Sequence, residues 1–217
     1  MQLSAIEARL IEAAIELFGR DGMDAVGTRA IADAAGAQMS AITYHFGGKE
    51  GLYLACARHI AAEMRERWAP LLERTSAASA ADSGAAEARA AIVAMLSGFA
   101  AIMMKDDTAR TARFIVREQM NPSPAFKILF EGAMQPGLQR MDELLQRIAG
   151  RRLPPDQLRV RALALLGQVL AFRFARATLL RATGWESVGE AETRIIQGII
   201  VAHTHAIVSE LEQGVHS

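Results

Sequence analysis

Between residues 28 and 53 the chain gathers side chains able to read or grip a nucleic acid: Thr28, Arg29, Gln38, Met39, Ser40, Thr43, Tyr44, His45 and Lys49. A glutamine can bond adenine through two atoms, serine or threonine can bond either base edge, and methionine offers apolar contact to a thymine methyl. Tyr44, His45 and Lys49 offer donors to phosphate. The Gly47–Gly48 loop exposes backbone N–H groups at the start of a further helix.

The elements that must position these groups can be read from the same stretch. Thr28 to about Ala35 predicts a short helix, with Thr28 as N-cap and Ile31, Ala34 and Ala35 as its apolar face. Gly36 supplies the left-handed residue that ends it. A second short helix, about Gln38 to His45, is expected to bury Ala37, Ala41, Ile42 and Phe46 and to leave the polar set outside. Helix, glycine turn, helix is the shape of a helix-turn-helix, whose second helix fits a DNA major groove. A helical hairpin with an ordinary polar surface shares that outline. The ordered run Ile42-Thr43-Tyr44-His45-Phe46, followed by Lys49-Glu50 and Leu52-Tyr53, is far more specific.

With Ile31-Ala32 and Ala35-Gly36 placed before it, that run resembles the TetR family of one-component transcriptional regulators. Gln38 and Thr43 depart from the commonest pattern, which has Ser and Tyr there. The run Arg117 to Phe126, with Gly167-Gln168 and Gly184-Trp185, resembles the C-terminal domain of the CecR-like subgroup. The resemblance covers most of the chain and implies an effector-responsive regulator, often of efflux or stress genes, without naming the effector.

The chain has 217 residues, 51% hydrophobic and 6% aromatic, and no alternating β-branched run, so an all-α fold is expected. No stretch approaches the ~18 uninterrupted apolar residues of a membrane span, and the N-terminal segment lacks a signal-peptide profile. Cys56, the one cysteine, fits a reducing cytoplasm. The net charge is +0, and residues 1–67 carry 7 Lys+Arg against 9 Asp+Glu. A basic footprint is absent at domain level, although Arg29, His45 and Lys49 outnumber Asp33 locally.

In chain order, a capping box Ser4-x-x-Glu7 opens a first helix with Ile6, Leu10, Ala13 and Leu17 at helical spacing, ended by Gly22. A long helix is expected from Lys49 to about Leu72, with Tyr53, Ala57, Ile60, Met64 and Trp68 in one stripe and Pro70 kinking or ending it. Thr75–Ala86 reads as a loop. Further helices follow over Glu87–Met104 and, capped by Asp106-Asp107-Thr108, to Met120. After Asn121–Pro124 a helix reaches about Ala149 with a kink at Pro136-Gly137. Pro154–Pro155 opens a helix to about Arg181, and one more closes the chain. The expected architecture is a three-helix head, residues 1–48, and a C-terminal helical bundle, residues 49–217, about nine helices in all, with the Lys49 helix linking the two.

The last two long helices each carry two apolar faces. Leu163, Leu166, Leu170 and Phe174 on one, and Ile195, Ile199, Ala202 and Ala206 on the other, are left for a second subunit, predicting a homodimer through a four-helix contact. A central helix in a thick monomeric bundle is the alternative. Arg113, Phe114, Arg117, Glu118 and Phe126 could line an effector pocket, with Arg110 on the same ridge and Glu118 fixing one guanidinium. A solvated arginine ridge paired with acids explains the pattern equally. His203 and His205, at i,i+2, do not share a helix face, so no metal site is expected from them. Cys56 reads as a core thiol more than a redox sensor. No catalytic signature is present, and neither cofactor nor metal is expected. The sequence thus predicts a cytoplasmic, ligand-responsive regulator, a repressor released from a palindromic double-stranded DNA operator by a small-molecule effector. An all-α small-molecule binding protein or enzyme with an incidental helix-turn-helix is the alternative.

Overall fold

The computed structural model describes residues 3–76, 78 and 84–212, and among them every regular element is helical. Helix α1, Ala5–Asp21, starts as the capping box requires. The Ser4 hydroxyl accepts from the Glu7 N–H, and the Glu7 carboxylate accepts from the Ser4 N–H at 2.8 Å. Gly22, at φ 89°, ends it. The core stripe is Leu10, Ile11, Ala14, Ile15, Phe18 and Gly19; the predicted Ala13 and Leu17 sit half-buried at its edge. Helices α2, Thr28–Ala35, and α3, Met39–Phe46, make the helix-turn-helix, joined through Gly36 in the left-handed region. Helix α4, Lys49–Arg74, follows.

The chain divides into two compact units. The first holds Met1–Glu66 and Asp107–Met134, so α6, Ala109–Met120, and α7, Pro124–Leu129, pack with the head. Gly19 lets α1 approach α6 closely: a Cβ there would stand 3.3 Å from the Arg110 carbonyl oxygen and the Phe114 nitrogen. The second unit holds Arg67–Asp106 and Gln135–Ser217. Its core gathers α5, Ala85–Met103, α8, Gln135–Ala149, α9, Pro155–Phe174, and α11, Glu190–Glu212, through Ile92, Leu96, Leu144, Leu165, Ile196 and Ile200. Helix α5 is long and apolar enough to cross a bilayer, which the sequence reading did not foresee. Here it is the core helix of its unit, with Ala88, Ile92, Leu96 and Ala100 fully buried.

Several expectations are corrected. Pro70 does not end α4, which runs on to Arg74. Half of the expected Thr75–Ala86 loop lies outside the described residues, and Ala85 already belongs to α5. Thr108, not an aspartate, is the N-cap of α6, and it makes no side-chain cap bond; Asp106 instead pairs with Arg176 at 2.6 Å. Just before the kink expected at Pro136-Gly137, the helix passes through a π-helical stretch, Phe130–Met134. Pro136 has no N–H to offer the carbonyl four residues back. That carbonyl, of Gly132, accepts from the Arg65 guanidinium at 3.1 Å. The helix predicted over Pro155–Arg181 breaks at Ala175, and α10, Arg176–Thr183, leaves α9 at 69°. No proline or glycine marks that break. Arg173 and Arg176 donate to the Lys105 and Met104 carbonyls at the end of α5, a tertiary tie with no local signal. With these divisions the expected nine helices become eleven α-helices among the described residues.

Candidate nucleic-acid interface

Ile42 is the one fully buried residue of α3; Ala37, Ala41 and Phe46 are half-buried, not core. Everything else on its outer side faces solvent. Gln38, Met39, Ser40, Thr43 and Tyr44 are exposed, Tyr44 to 84% and Met39 to 56%. An exposed methionine and tyrosine beside short polar groups on an eight-residue helix is a surface shaped to be covered. Gln38 is the N-cap but makes no side-chain cap bond, so its amide stays available. Gln38, Ser40, Ala41, Tyr44 and His45 line a shallow groove with Ile6 of α1.

The flanking residues are placed less simply. Thr28 is the first residue of α2, not its cap; Gly27 is the N-cap and makes no side-chain bond. Thr28 is half-buried, while Arg29 is exposed, as is Ala34, predicted for the buried face. His45 is half-buried, with Nδ1 3.5 Å from a Glu7 oxygen. The Ser4 hydroxyl and N–H, and less strongly His45, hold the Glu7 carboxyl below its ordinary range. Glu7 was legible only as a cap. Lys49 departs furthest from its expected role as a phosphate donor. Its Nζ donates to the Met23 carbonyl at 3.0 Å and the Val26 carbonyl at 3.2 Å, tying the start of α4 to the loop between α1 and α2.

The residues expected to form an effector pocket are engaged with partners outside that set: α1, Tyr53, Ser123 and Phe130. Arg113 meets the Glu16 carboxylate at 2.7 Å, and Arg110 meets Glu12. Arg117 donates through Nε to the Gly19 carbonyl at 2.9 Å and also to that of Arg20, satisfying the free carbonyls at the end of α1. Arginines paired with acids, the alternative reading of this ridge, describe most of it. Phe114 is buried and stacks on Tyr53 with ring centroids 4.8 Å apart, while Phe126 stacks on Phe130. Among the described residues Glu118 fixes no guanidinium, contrary to expectation. Its carboxylate, 2% exposed, accepts from the Tyr53 hydroxyl at 2.6 Å and from the Ser123 N–H and hydroxyl. Burial first, and then Glu118, push the Tyr53 phenol above its ordinary value. Nothing in the spacing of Tyr53 and Glu118, 65 residues apart, announced this pair. Cys56 is buried against the Ile11 carbonyl, and burial pushes its thiol up, so it stays a neutral core group.

In the second unit the two predicted contact faces lie open. Leu163 is 57% exposed, Phe174 54%, Ile195 52% and Ile199 40%, with Ala202 and Ala206 also exposed and Leu166 and Leu170 half-buried. The opposite faces of the same helices, Ala162, Leu165 and Val169 on α9 and Ile196 and Ile200 on α11, fill the core.

An all-helical chain whose first unit presents such a helix-turn-helix has the make-up of a DNA-binding regulator. Residues 10–56 match the family of bacterial regulatory proteins, tetR family, and residues 88–211 match the C-terminal domain of the HTH-type transcriptional dual regulator CecR. Over 206 residues the chain is 34% identical to the CecR regulator of Shigella flexneri, covering 94% of this chain and 92% of that one. Over 66 residues, 30% of this chain and 31% of the other, it is 52% identical to the transcriptional regulatory protein RaaS of Mycobacterium tuberculosis. A TetR-family regulator from Streptomyces coelicolor has the same fold, with a TM-score of 0.66 over 96% of this chain and 91% of that one at 14% identity. The chain belongs to the TetR family of transcriptional regulators and carries a CecR-type C-terminal domain. Proteins of this family bind DNA and typically form homodimers.

Proposed function

We propose that the protein is a homodimeric, cytoplasmic repressor that reads a palindromic operator through α3 and is released by a small-molecule effector. The observation that carries the reading is the outer side of α3, where Gln38, Met39, Ser40, Thr43 and Tyr44 are all exposed around a single buried anchor. Arg29 adds an exposed cation beside them. The open faces of α9 and α11 supply the dimer contact, which doubles a head whose own net charge is unhelpful and gives it a two-fold operator. Residues 1–48 serve DNA and residues 49–217 serve effector and dimer, with α4 continuous from one unit into the other.

The effector acts around Arg113, Phe114, Arg117, Glu118 and Phe126. Because Arg113 and Arg117 are engaged with α1 and Glu118 with Tyr53 and Ser123, a ligand that borrows any of these groups loosens α6 from the head. That is a differential contact of the kind gating requires. CecR of Shigella flexneri is a dual regulator, and that likeness supports a second reading in which the protein also activates at some sites. The test is a titration of DNA flanking the protein's own coding region, with and without candidate effectors. Specific binding that an effector weakens by about 5–150-fold, matched by an equal loss of effector affinity on operator DNA, is the expected result. Effector binding that is indifferent to operator overturns the gating.

A further inference from the structure

In the first unit, Glu12 of α1 converges with His59 and Glu63 of α4. His59 and Glu63 are four residues apart, so one face of α4 carries both. His59 Nε2 lies 3.4 Å from Glu12 Oε1 and 3.4 Å from Glu63 Oε1, and the three ligand atoms lie within 4.8 Å of one another. That nitrogen is buried and has no hydrogen-bond partner among the described residues. A charge-assisted hydrogen bond would draw Nε2 to about 2.7–2.9 Å from one carboxylate, whereas here it stands off from two by the same distance. Ligands placed tetrahedrally at about 2.0–2.1 Å from a zinc ion are separated by about 3.3–3.4 Å. Both imidazole–carboxylate spacings are therefore those of ligands around a common centre. Glu12 is also oriented from outside: its other oxygen, Oε2, accepts from Arg110 of α6. Such an outer partner is what holds a ligating carboxylate in place.

We propose that Glu12 Oε1, His59 Nε2 and Glu63 Oε1 bind a divalent transition-metal ion of the zinc type, leaving a fourth position for water or an incoming ligand. Two carboxylates neutralise the ion's charge, and the imidazole selects against magnesium and calcium, which take oxygen ligands. The two carboxylate side chains are 28–38% exposed, so an ion entering from solvent meets them before the buried nitrogen. Occupied, the site pins α1 to α4 behind the helix-turn-helix. The inference stands apart from the effector reading, because none of its ligands belongs to the effector set.

The test is calorimetric titration of the full, tag-free chain with Zn2+ and with Mg2+. The site predicts one Zn2+ per chain and no Mg2+ binding. Glu63→Gln and Arg110→Met are each expected to lower Zn2+ affinity by about 10–100-fold or more, the range for loss of a supporting partner. A His203→Gln/His205→Gln variant is expected to bind as wild type. Equal affinity in wild type and Glu63→Gln, affinity lost with the α11 histidines, or no binding to wild type each overturns the site. If Glu63→Gln does not fold, wild type with Co2+ decides: strong visible bands of a four-coordinate ion support the site, and the pale spectrum of a six-coordinate aqueous ion overturns it.

Discussion

Lys49 separates two accounts of the head, and its replacement by methionine distinguishes them. By sequence it is a phosphate contact; in the structure its ammonium group holds the Met23 and Val26 carbonyls at 3.0 and 3.2 Å. Hydrogen bonds to a charged group contribute about 1.5–3 kcal/mol each. Lys49 is only half-buried, so water replaces part of what is lost, and about 2 kcal/mol for the pair is a fair expectation. For a chain of this size about 1 kcal/mol shifts the thermal midpoint by about 2–4 °C. Lys49→Met is therefore expected to melt about 4–8 °C below wild type. A phosphate contact behaves differently. Its loss would leave the midpoint alone and flatten the log–log dependence of operator affinity on salt by about 0.9. Thermal denaturation followed by circular dichroism, together with DNA titrations at several salt concentrations, gives both numbers. A lowered midpoint with an unchanged salt slope supports the structural role. An unchanged midpoint with the slope reduced refutes it.

Tyr53→Phe removes a donor from the buried Glu118 carboxylate and is expected to cost about 1–3 kcal/mol in urea denaturation. Because the Tyr53 phenol is raised in the folded state, its contribution is whole below the ordinary tyrosine value of about 10 and fades as pH rises beyond it. Wild type is thus expected to lose stability above about pH 10 more steeply than Tyr53→Phe. Ile199→Arg, on the open face of α11, is expected to leave the fold intact and split the dimer, as sedimentation velocity would show; an unaltered dimer places the interface elsewhere. Gln38→Ala is expected to alter base preference by about 1–3 kcal/mol at one operator position without moving the melting midpoint. Uniform weakening across sequences would reassign Gln38 to the backbone.

The sequence carried the fold where the signal is local. The Ser4–Glu7 capping box, the glycine turn at Gly36 and the stripe Tyr53, Ala57, Ile60 and Met64 all follow from neighbours within a few residues, and all stand where periodicity puts them. The doubled apolar faces of the last long helices were legible for the same reason. What could not be read depends on partners distant in sequence. Arg65 takes the carbonyl that Pro136 leaves free, and Arg173 and Arg176, which flank the break between α9 and α10, hold the carbonyls at the end of α5 with neither proline nor glycine to mark the break. The arginine ridge was seen correctly as a ridge. Its partners, the acids and terminal carbonyls of α1, lie nearly 100 residues earlier, and without them a pocket and a clamp look alike. At the head, residue types indicated which groups could touch DNA, but only packing separated the free ones, such as Tyr44 and Gln38, from Lys49 and His45, already tied inward.

Hydroxyl-radical footprinting on the DNA flanking the coding region tests most directly whether α3 reads an operator as half of a dimer. The expected footprint is two protected half-sites related by a two-fold axis, with centres about 34–36 Å apart or a multiple of that. Both are lost together in a Gln38→Ala/Tyr44→Ala variant that still folds. A single protected half-site, or a footprint that survives the double substitution, would contradict the account.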